Sequence, residues 1–131
     1  MKTTTADKYF SLFIRIRDAH DGYIGRCSTC GRVGNIKKMD CGHYIKRQFS
    51  ATRFSEENCH LQCKNCNNFL QGNDTKFKEY ITAKHGEKTV LLLEASKRQS
   101  VKRSANDLKQ LADYYKKKAI ELARDKGIEI W

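Results

Sequence analysis

The chain has 131 residues, of which 39% are hydrophobic, 10% aromatic and 31% charged. This composition is that of a globular protein about one domain in size, and it excludes a largely disordered chain and a chain that lies mostly in a membrane. Lys and Arg number 26 against 15 Asp and Glu, and the net charge of +11 favours a polyanion such as nucleic acid as the partner, over a basic surface that binds no ligand.

The N-terminal helix is the first predicted element. Residues 5–20 carry apolar side chains at helical spacing from Tyr9 to Ile16, and TTAD at residues 4–7 supplies a capping box. The following residues, HDGYIG, predict a turn. Glycines then punctuate residues 26–62, where we expect a zinc knuckle followed by a two-stranded β element with a long connecting loop.

Helices dominate the second half of the predicted fold. A helix is expected within residues 64–71 and should stop at Gly72; a second should cover residues 75–85 with Asp74 as its cap, and a third residues 89–95. Residues 96–104 form a basic linker. It leads into a last helix whose apolar stripe either docks on the same subunit or pairs with a second copy. The predicted architecture is α+β, divided into residues 1–95 and 96–131.

The cellular location follows from two absences. MKTTTADKYF lacks the apolar segment of a signal peptide, and the longest aliphatic run, VLLL at residues 90–93, is too short to cross a bilayer. We therefore expect a cytoplasmic protein with no membrane partner. Thiols stay reduced in the cytoplasm, so the six cysteines favour metal binding over disulfides.

Two Cys-x-x-Cys pairs predict a structural zinc site, formed by Cys27, Cys30, Cys63 and Cys66. Each pair can chelate one side of a tetrahedral Zn²⁺, and four thiolates leave no open position for chemistry. The alternative is a set of buried thiols without metal. Cys41 and Cys59 belong to no pair; they are interpreted as small buried residues on the two strands, although either could substitute into the site.

The segment between the zinc pairs carries a catalytic pattern. His43 lies on the first predicted strand, Asn58 precedes the second, and Asn67 opens the following helix. This order resembles the HNH pattern of ββα-metal nucleases, in which treble-clef zinc pairs bracket the hairpin. GHYIKRQFSATRFSEENCHLQCKNCNNFLQGN at residues 42–73 further resembles the phage recombination nucleases of the NinG/Rap family, and the likeness covers residues 6–93.

The resemblance implies an activity and a set of roles. The chain would be a DNA endonuclease acting on branched recombination intermediates such as Holliday junctions and D-loops, in a bacterial host cell and beside a phage recombinase. His43 would be the general base, because a neutral imidazole can take a proton from water. Asn67 would hold a catalytic Mg²⁺ or Mn²⁺, and Asn58 would tie the hairpin together.

The second ligand of that divalent ion is left open. Many HNH enzymes carry an Asp directly before the base histidine, and in this sequence the position is Gly42. Asp40 shares a strand face with Gly42 and could still reach the ion. His60, projecting from the facing strand, is an equal candidate.

Basic residues predict where DNA would lie. One group surrounds the proposed catalytic residues and should grip phosphates near the scissile bond; it comprises Lys46, Arg47, Arg53 and Lys64. A second group in the linker could hold another DNA arm; it comprises Lys97, Arg98, Lys102 and Arg103. Two cuts in a four-way junction would need a homodimer. The alternatives are a non-catalytic zinc DNA-binding protein and an HNH endonuclease that acts on ordinary duplex DNA.

Overall fold

The first helix packs against the last helix and against strands of both sheets. The computed structural model describes residues 2–131, and α1 spans Thr5–Asp18. Its predicted capping box is confirmed, since the Thr4 hydroxyl accepts from the Asp7 N–H and the Asp7 carboxylate accepts from the Thr4 N–H. The helix ends two residues earlier than predicted, because Ala19 is extended and opens a strand.

Five short strands form two antiparallel sheets. The first sheet contains β1 (Ala19–Asp21), β2 (Ile24–Arg26) and β3 (Val33–Asn35) in chain order. The sequence predicted only turns and a knuckle in this region. The second sheet is the predicted hairpin, with β4 (Asp40–His43) paired to β5 (Cys59–Gln62). The α+β class is confirmed.

The helices after β5 follow the predicted order. Asn65–Phe69 form a single π-helical turn, followed by α2 (Asp74–His85) and α3 (Glu87–Ala95). The stop of α2 at Gly86 is confirmed. The predicted cap is displaced by one residue, because Asn73 is the N-cap and Asp74 lies in the first helical turn. A separate core beneath these helices contains Ile45, Phe77, Ile81, Val90 and Leu93.

The last helix, α4 (Ala105–Asp125), packs on α1. Tyr115 on its stripe meets Phe10 edge-to-face with ring centroids 4.9 Å apart. Lys126, directly after the helix, donates to the carbonyls of Ile16 and Ala19 at the end of α1, where a cation also suits the helix dipole. Docking within the subunit is thus confirmed: Ala112, Tyr115 and Ala119 of the stripe are buried, while Leu108, Leu111 and Leu122 are half-buried.

The C-terminal segment shares the main core with the rest of the chain. Tyr115, Ala119, Ala123 and Ile128 belong to the same buried cluster as the α1 side chains. Within residues 2–131, none of the helices combines the length and the apolar character that crossing a membrane requires.

Candidate active site

The four paired cysteines converge as predicted. Cys27 and Cys30 follow β2, and Cys63 and Cys66 flank the start of the π-helical turn. Their sulfur atoms all lie within 4.8 Å of one another, and the Cys30 and Cys63 sulfurs are 3.7 Å apart. A zinc ion with Zn–S bonds of about 2.3 Å needs sulfurs roughly 3.8 Å apart in a tetrahedron. The cluster is therefore compatible with a structural zinc.

The loop that carries Cys27 and Cys30 is hydrogen-bonded directly to the hairpin. The Gly31 N–H donates to the Cys27 carbonyl at 3.0 Å in a turn that gives Gly31 a φ of +79°. Glycine reaches this left-handed region without strain. The Ser28 N–H then donates to the Leu61 carbonyl of β5 at 2.8 Å. The loop that carries Cys27 and Cys30 is thus joined to the strand that pairs with β4, which contains His43.

Asn58 closes the hairpin from within. Its side chain is fully buried; Oδ1 accepts from the Ile45 N–H at 2.8 Å, and Nδ2 donates to the carbonyls of Ile45 and Thr52 at 2.9 and 3.3 Å. These three bonds join the residue before β5 to both parts of the loop that follows β4. Asn58 therefore holds the loop in place from a position outside the solvent-lined groove.

Replacing Asn58 by alanine is expected to destabilise the protein by about 2–4 kcal/mol, since three buried bonds are lost and their backbone partners remain unpaired. Chemical denaturation monitored by circular dichroism measures this change. Asn106→Ala, at an exposed position in α4, is the matched control and should change stability by less than about 0.5 kcal/mol. Equal effects of the two substitutions would contradict the bridging role.

The His43 ring is held by a backbone carbonyl. Nε2 lies 3.0 Å from the Arg53 carbonyl oxygen, and an N–H donated to that oxygen leaves Nδ1 as the acceptor nitrogen. Arg53 is itself fixed by Asp7, whose Oδ1 accepts from the Arg53 Nε at 2.9 Å. Burial lowers the pKa of His43 below that of an ordinary imidazole, with the positive charge of Arg47 adding to it, although the Arg53 carbonyl acts in the opposite direction. The ring is therefore neutral near pH 7.

One cavity of about 760 Å³ gathers most of the predicted site residues. It lies between α1 and the π-helical turn, along β4. The predicted residues that line it are His43, Asp40, Asn67, Lys46, Arg47 and Lys64. Residues far apart in the sequence thus share one basic, solvent-open groove, in which an imidazole faces the same space as a carboxylate and an amide.

Asp40 and Asn67 are in direct contact at the wall of this groove. The Asn67 amide nitrogen donates to Asp40 Oδ2 at 3.0 Å, and Lys64 Nζ donates to Asp40 Oδ1 at 2.7 Å. The amide oxygen of Asn67 is not used by this bond. The pair offers a carboxylate and an amide oxygen at one place, which is the donor chemistry that hard divalent ions prefer.

One known protein family matches nearly the whole chain. The family described as Bacteriophage Lambda NinG protein matches residues 3–125. The chain belongs to this phage protein family. The match extends beyond the predicted 6–93 and includes α4, which agrees with the place of α4 in the main core. No curated protein and no solved structure matches the chain.

The Gly-His dipeptide of this NinG-family chain has a packing reason. A Cβ atom at Gly42 would lie 2.1 Å from Oε1 of Gln62 on the facing strand. The buried Gln62 donates to the Gly72 carbonyl at 2.7 Å and to the Thr29 hydroxyl at 3.2 Å. Gln62 therefore links the hairpin to the knuckle and to the turn before α2. An Asp at position 42 would require Gln62 to move, and the carboxylate of this strand that lines the groove is that of Asp40.

His60 does not reach the groove. The residue is fully buried and pairs with Gly42, on the strand face away from Cys41 and His43. Its Nδ1 lies 3.0 Å from Nη2 of Arg17, and its Nε2 lies 3.2 Å from Nε2 of His85. Of the two candidates for the second ligand, only Asp40 lines the cavity with Asn67 and His43.

The predicted DNA contacts are not equally available. The Arg53 guanidinium is largely buried against Asp7 and Lys2, so the prediction that it contacts DNA is not supported. Lys46 lines the groove but donates to Asp74 and to the Gln71 carbonyl. In the linker, Arg103 donates to the Ser50 carbonyl. The remaining linker cations are exposed; they are Lys97, Arg98 and Lys102.

One wall of the groove was missed by the sequence analysis. Lys8, Ser11 and Arg15 of α1 line the cavity opposite the π-helical turn. Their spacing of three and four residues places them on one helical face, beside the apolar stripe. That spacing was a usable signal, since a basic polar row next to a buried stripe marks the solvent edge of a docked helix.

Proposed function

We propose that this chain is a metal-dependent DNA endonuclease that cleaves branched recombination intermediates, such as Holliday junctions and D-loops, in phage recombination. The observation that carries the proposal is the convergence of His43, Asp40 and Asn67 on one basic groove. Membership of the NinG phage family supports the biological setting. That setting would be the cytoplasm of the bacterial host, beside a phage recombinase.

His43 has the chemistry that a general base needs. Hydrolysis of a phosphodiester requires that a water molecule lose a proton as it attacks phosphorus opposite the leaving 3′ oxygen. A neutral imidazole whose Nε2 is fixed by a carbonyl can take that proton at Nδ1. Because burial keeps the ring neutral near pH 7, no prior deprotonation is required.

A hard divalent ion would suit the Asp40–Asn67 pair of the groove. Asp40 and Asn67 would hold Mg²⁺ or Mn²⁺ through their side-chain oxygens. Such an ion supplies positive charge that polarises the scissile phosphate and stabilises the leaving oxygen. In the structure Lys64 donates to Oδ1 of Asp40 and the Asn67 amide nitrogen donates to Oδ2. Both would have to release the carboxylate, and the Asn67 amide would have to turn its oxygen toward the ion; Lys64 could then contact a DNA phosphate.

The arrangement of elements supports an HNH, treble-clef assignment. The β4–β5 hairpin and the turn that follows it lie between the two Cys-x-x-Cys pairs. His43 lies on the first strand, Asn58 bridges the loop before the second, and Asn67 lies on the helical turn. The HNH pattern places its third residue at the start of a helix, whereas Asn67 lies on a π-helical turn that ends before α2, so the support comes from the order of the three residues along the chain.

DNA would be held mainly through its phosphates. The groove carries the cations Lys8, Arg15, Lys46, Arg47 and Lys64, and exposed linker lysines extend the basic surface. Such contacts give affinity and salt sensitivity but little base specificity, which suits an enzyme that recognises branch shape. Two symmetric cuts need two active sites, so we propose a homodimer.

The decisive experiment compares a labelled four-way junction with its matched linear duplex. We expect cleavage near the branch after addition of Mg²⁺ and none in its absence. Mg²⁺ should be withheld by dialysis rather than by a strong chelator, which would also remove zinc from the cysteine cluster. Binding without any cut in Mg²⁺ or Mn²⁺ would favour a non-catalytic zinc DNA-binding protein, and equal cutting of both substrates would favour a duplex endonuclease.

Phe69 offers a means of recognising a branch. Its side chain is 84% exposed at the end of the π-helical turn, two residues after Asn67. An exposed ring beside a basic groove can stack on a base that is unpaired at a junction, at about 1–3 kcal/mol per base. We expect Phe69→Ala to weaken junction binding by roughly five- to hundredfold and duplex binding much less.

Fluorescence of 2-aminopurine at the branch point, with anisotropy for affinity, would measure this difference. Leu92→Ala is the matched control, since Leu92 is 60% exposed on α3 and does not line the groove. A uniform loss of affinity for junction and duplex alike would assign Phe69 to general DNA binding instead.

A further inference from the structure

A second group of metal-binding side chains lies beside His43. The ligand atoms of Cys41, His43 and Cys59 are all within 4.8 Å of one another. Cys41 and His43 are alternate residues on β4, and Cys59 of β5 pairs with His43. Strand periodicity therefore places the three side chains on one face of the hairpin. None of them belongs to the four-cysteine cluster.

The chemistry of this group differs from that of Asp40 and Asn67. Two thiols and one imidazole are soft and borderline ligands, which select Zn²⁺ or Cd²⁺ over Mg²⁺. Three protein ligands leave one tetrahedral position open. Cys41 and His43 line the groove while Cys59 is fully buried behind them, so an ion can enter from the groove and its open position would face solvent.

The orientation of His43 suits metal binding. Its Nε2 is occupied by the Arg53 carbonyl, so Nδ1 is the nitrogen left for an ion. Histidine ligands in metal sites commonly have the other ring nitrogen bonded to a carbonyl, which fixes both tautomer and orientation. The same Nδ1 is the atom proposed to take the proton from water, and it cannot serve both purposes at once.

We propose that Cys41, His43 and Cys59 form a second site for a thiophilic metal ion, and that Zn²⁺ bound there inhibits DNA cleavage by occupying His43. Metal binding stands on the cluster geometry alone, whereas inhibition rests on the proposed nuclease function. The site has three protein ligands against four in the knuckle cluster, so it should fill only after that cluster is saturated. Excess zinc would then inhibit DNA cleavage.

Metal stoichiometry tests the site without any need for activity. Reduced full-length protein is dialysed against Cd²⁺ as the probe, and bound metal and thiolate-to-cadmium absorption are measured for wild type and Cys41→Ala. We expect the variant to bind one ion fewer than wild type and to lose part of the absorption, with an unchanged thermal transition. Equal stoichiometry and equal absorption in the two proteins would overturn the proposal.

Cleavage assays in Mg²⁺ with added Zn²⁺ test the inhibition. Zinc at about ten times its Kd should leave roughly a tenth of the wild-type activity. Each protein is compared with its own rate without zinc, and Cys41→Ala should retain most of that rate when zinc is added. Equal inhibition of both proteins would overturn the proposed inhibition. Absence of cleavage in every sample would instead count against the nuclease function and leave the cadmium result standing.

Discussion

Replacing His43 by alanine is expected to lower the single-turnover rate of junction cleavage by about 10²–10⁴-fold, the usual contribution of a general base. The expectation rests on position as well as residue type. The ring lines the groove with Asp40 and Asn67, is neutral near pH 7 and is oriented by the Arg53 carbonyl. Alanine removes the proton acceptor but leaves the cations of the groove in place.

The rate should therefore fall while DNA binding persists. Affinity for the junction, measured by gel shift in Ca²⁺ or without metal, should stay within about threefold of wild type, since the phosphate contacts supply it. His20→Ala is the matched control, because His20 is exposed on β1 and does not line the groove. A loss of less than about tenfold in rate for His43→Ala would exclude its role as the base.

Much of the fold could be predicted because its helices carry local signals. The α1 capping box, the Gly86 stop of α2 and the α4 stripe all depend on residues within a few positions of one another. The convergence of the four cysteines was predictable for a similar reason, since the Cys-x-x-Cys spacing is itself the chelating unit.

The first sheet could not be predicted, because each of its strands has only three residues and shows no periodicity. The first sheet packs closely on the second at Gly25, where a Cβ atom would lie 2.5 Å from a methyl group of Leu61 on β5. That contact joins residues 36 positions apart in the chain. It becomes apparent only after both sheets are in place.

The sequence offers the residue types of the candidate site but not the contacts that each residue makes. Which histidine lines the groove depends on burial, since His60 is enclosed by Arg17 and His85 whereas His43 is half-buried at the groove. Which arginine can contact DNA depends on Asp7, 46 residues upstream of Arg53. Burial and ion pairing of this kind arise from tertiary contacts, and a motif within one segment contains no record of them.

Loss of the zinc cluster is expected to abolish cooperative folding of the hairpin region. Structural zinc contributes about 10–16 kcal/mol of apparent binding energy in small domains, comparable with the entire stability of a typical domain at about 5–15 kcal/mol. The cluster joins the knuckle, the end of β5 and the π-helical turn. The two small sheets supply little independent stability.

Cys63→Ser should therefore bind no zinc at the knuckle and lose the wild-type thermal transition, and prolonged chelation should do the same to wild type. Zinc content and circular dichroism measure the two effects. Cys41→Ser, which changes a cysteine outside the cluster, should keep its knuckle zinc and lose less than about 1 kcal/mol. If the thermal transition of Cys63→Ser is the same as that of wild type, the packing of α4 on α1 is sufficient to keep the protein folded. The metal would then serve to position β5 against His43, and activity rather than stability would depend on it.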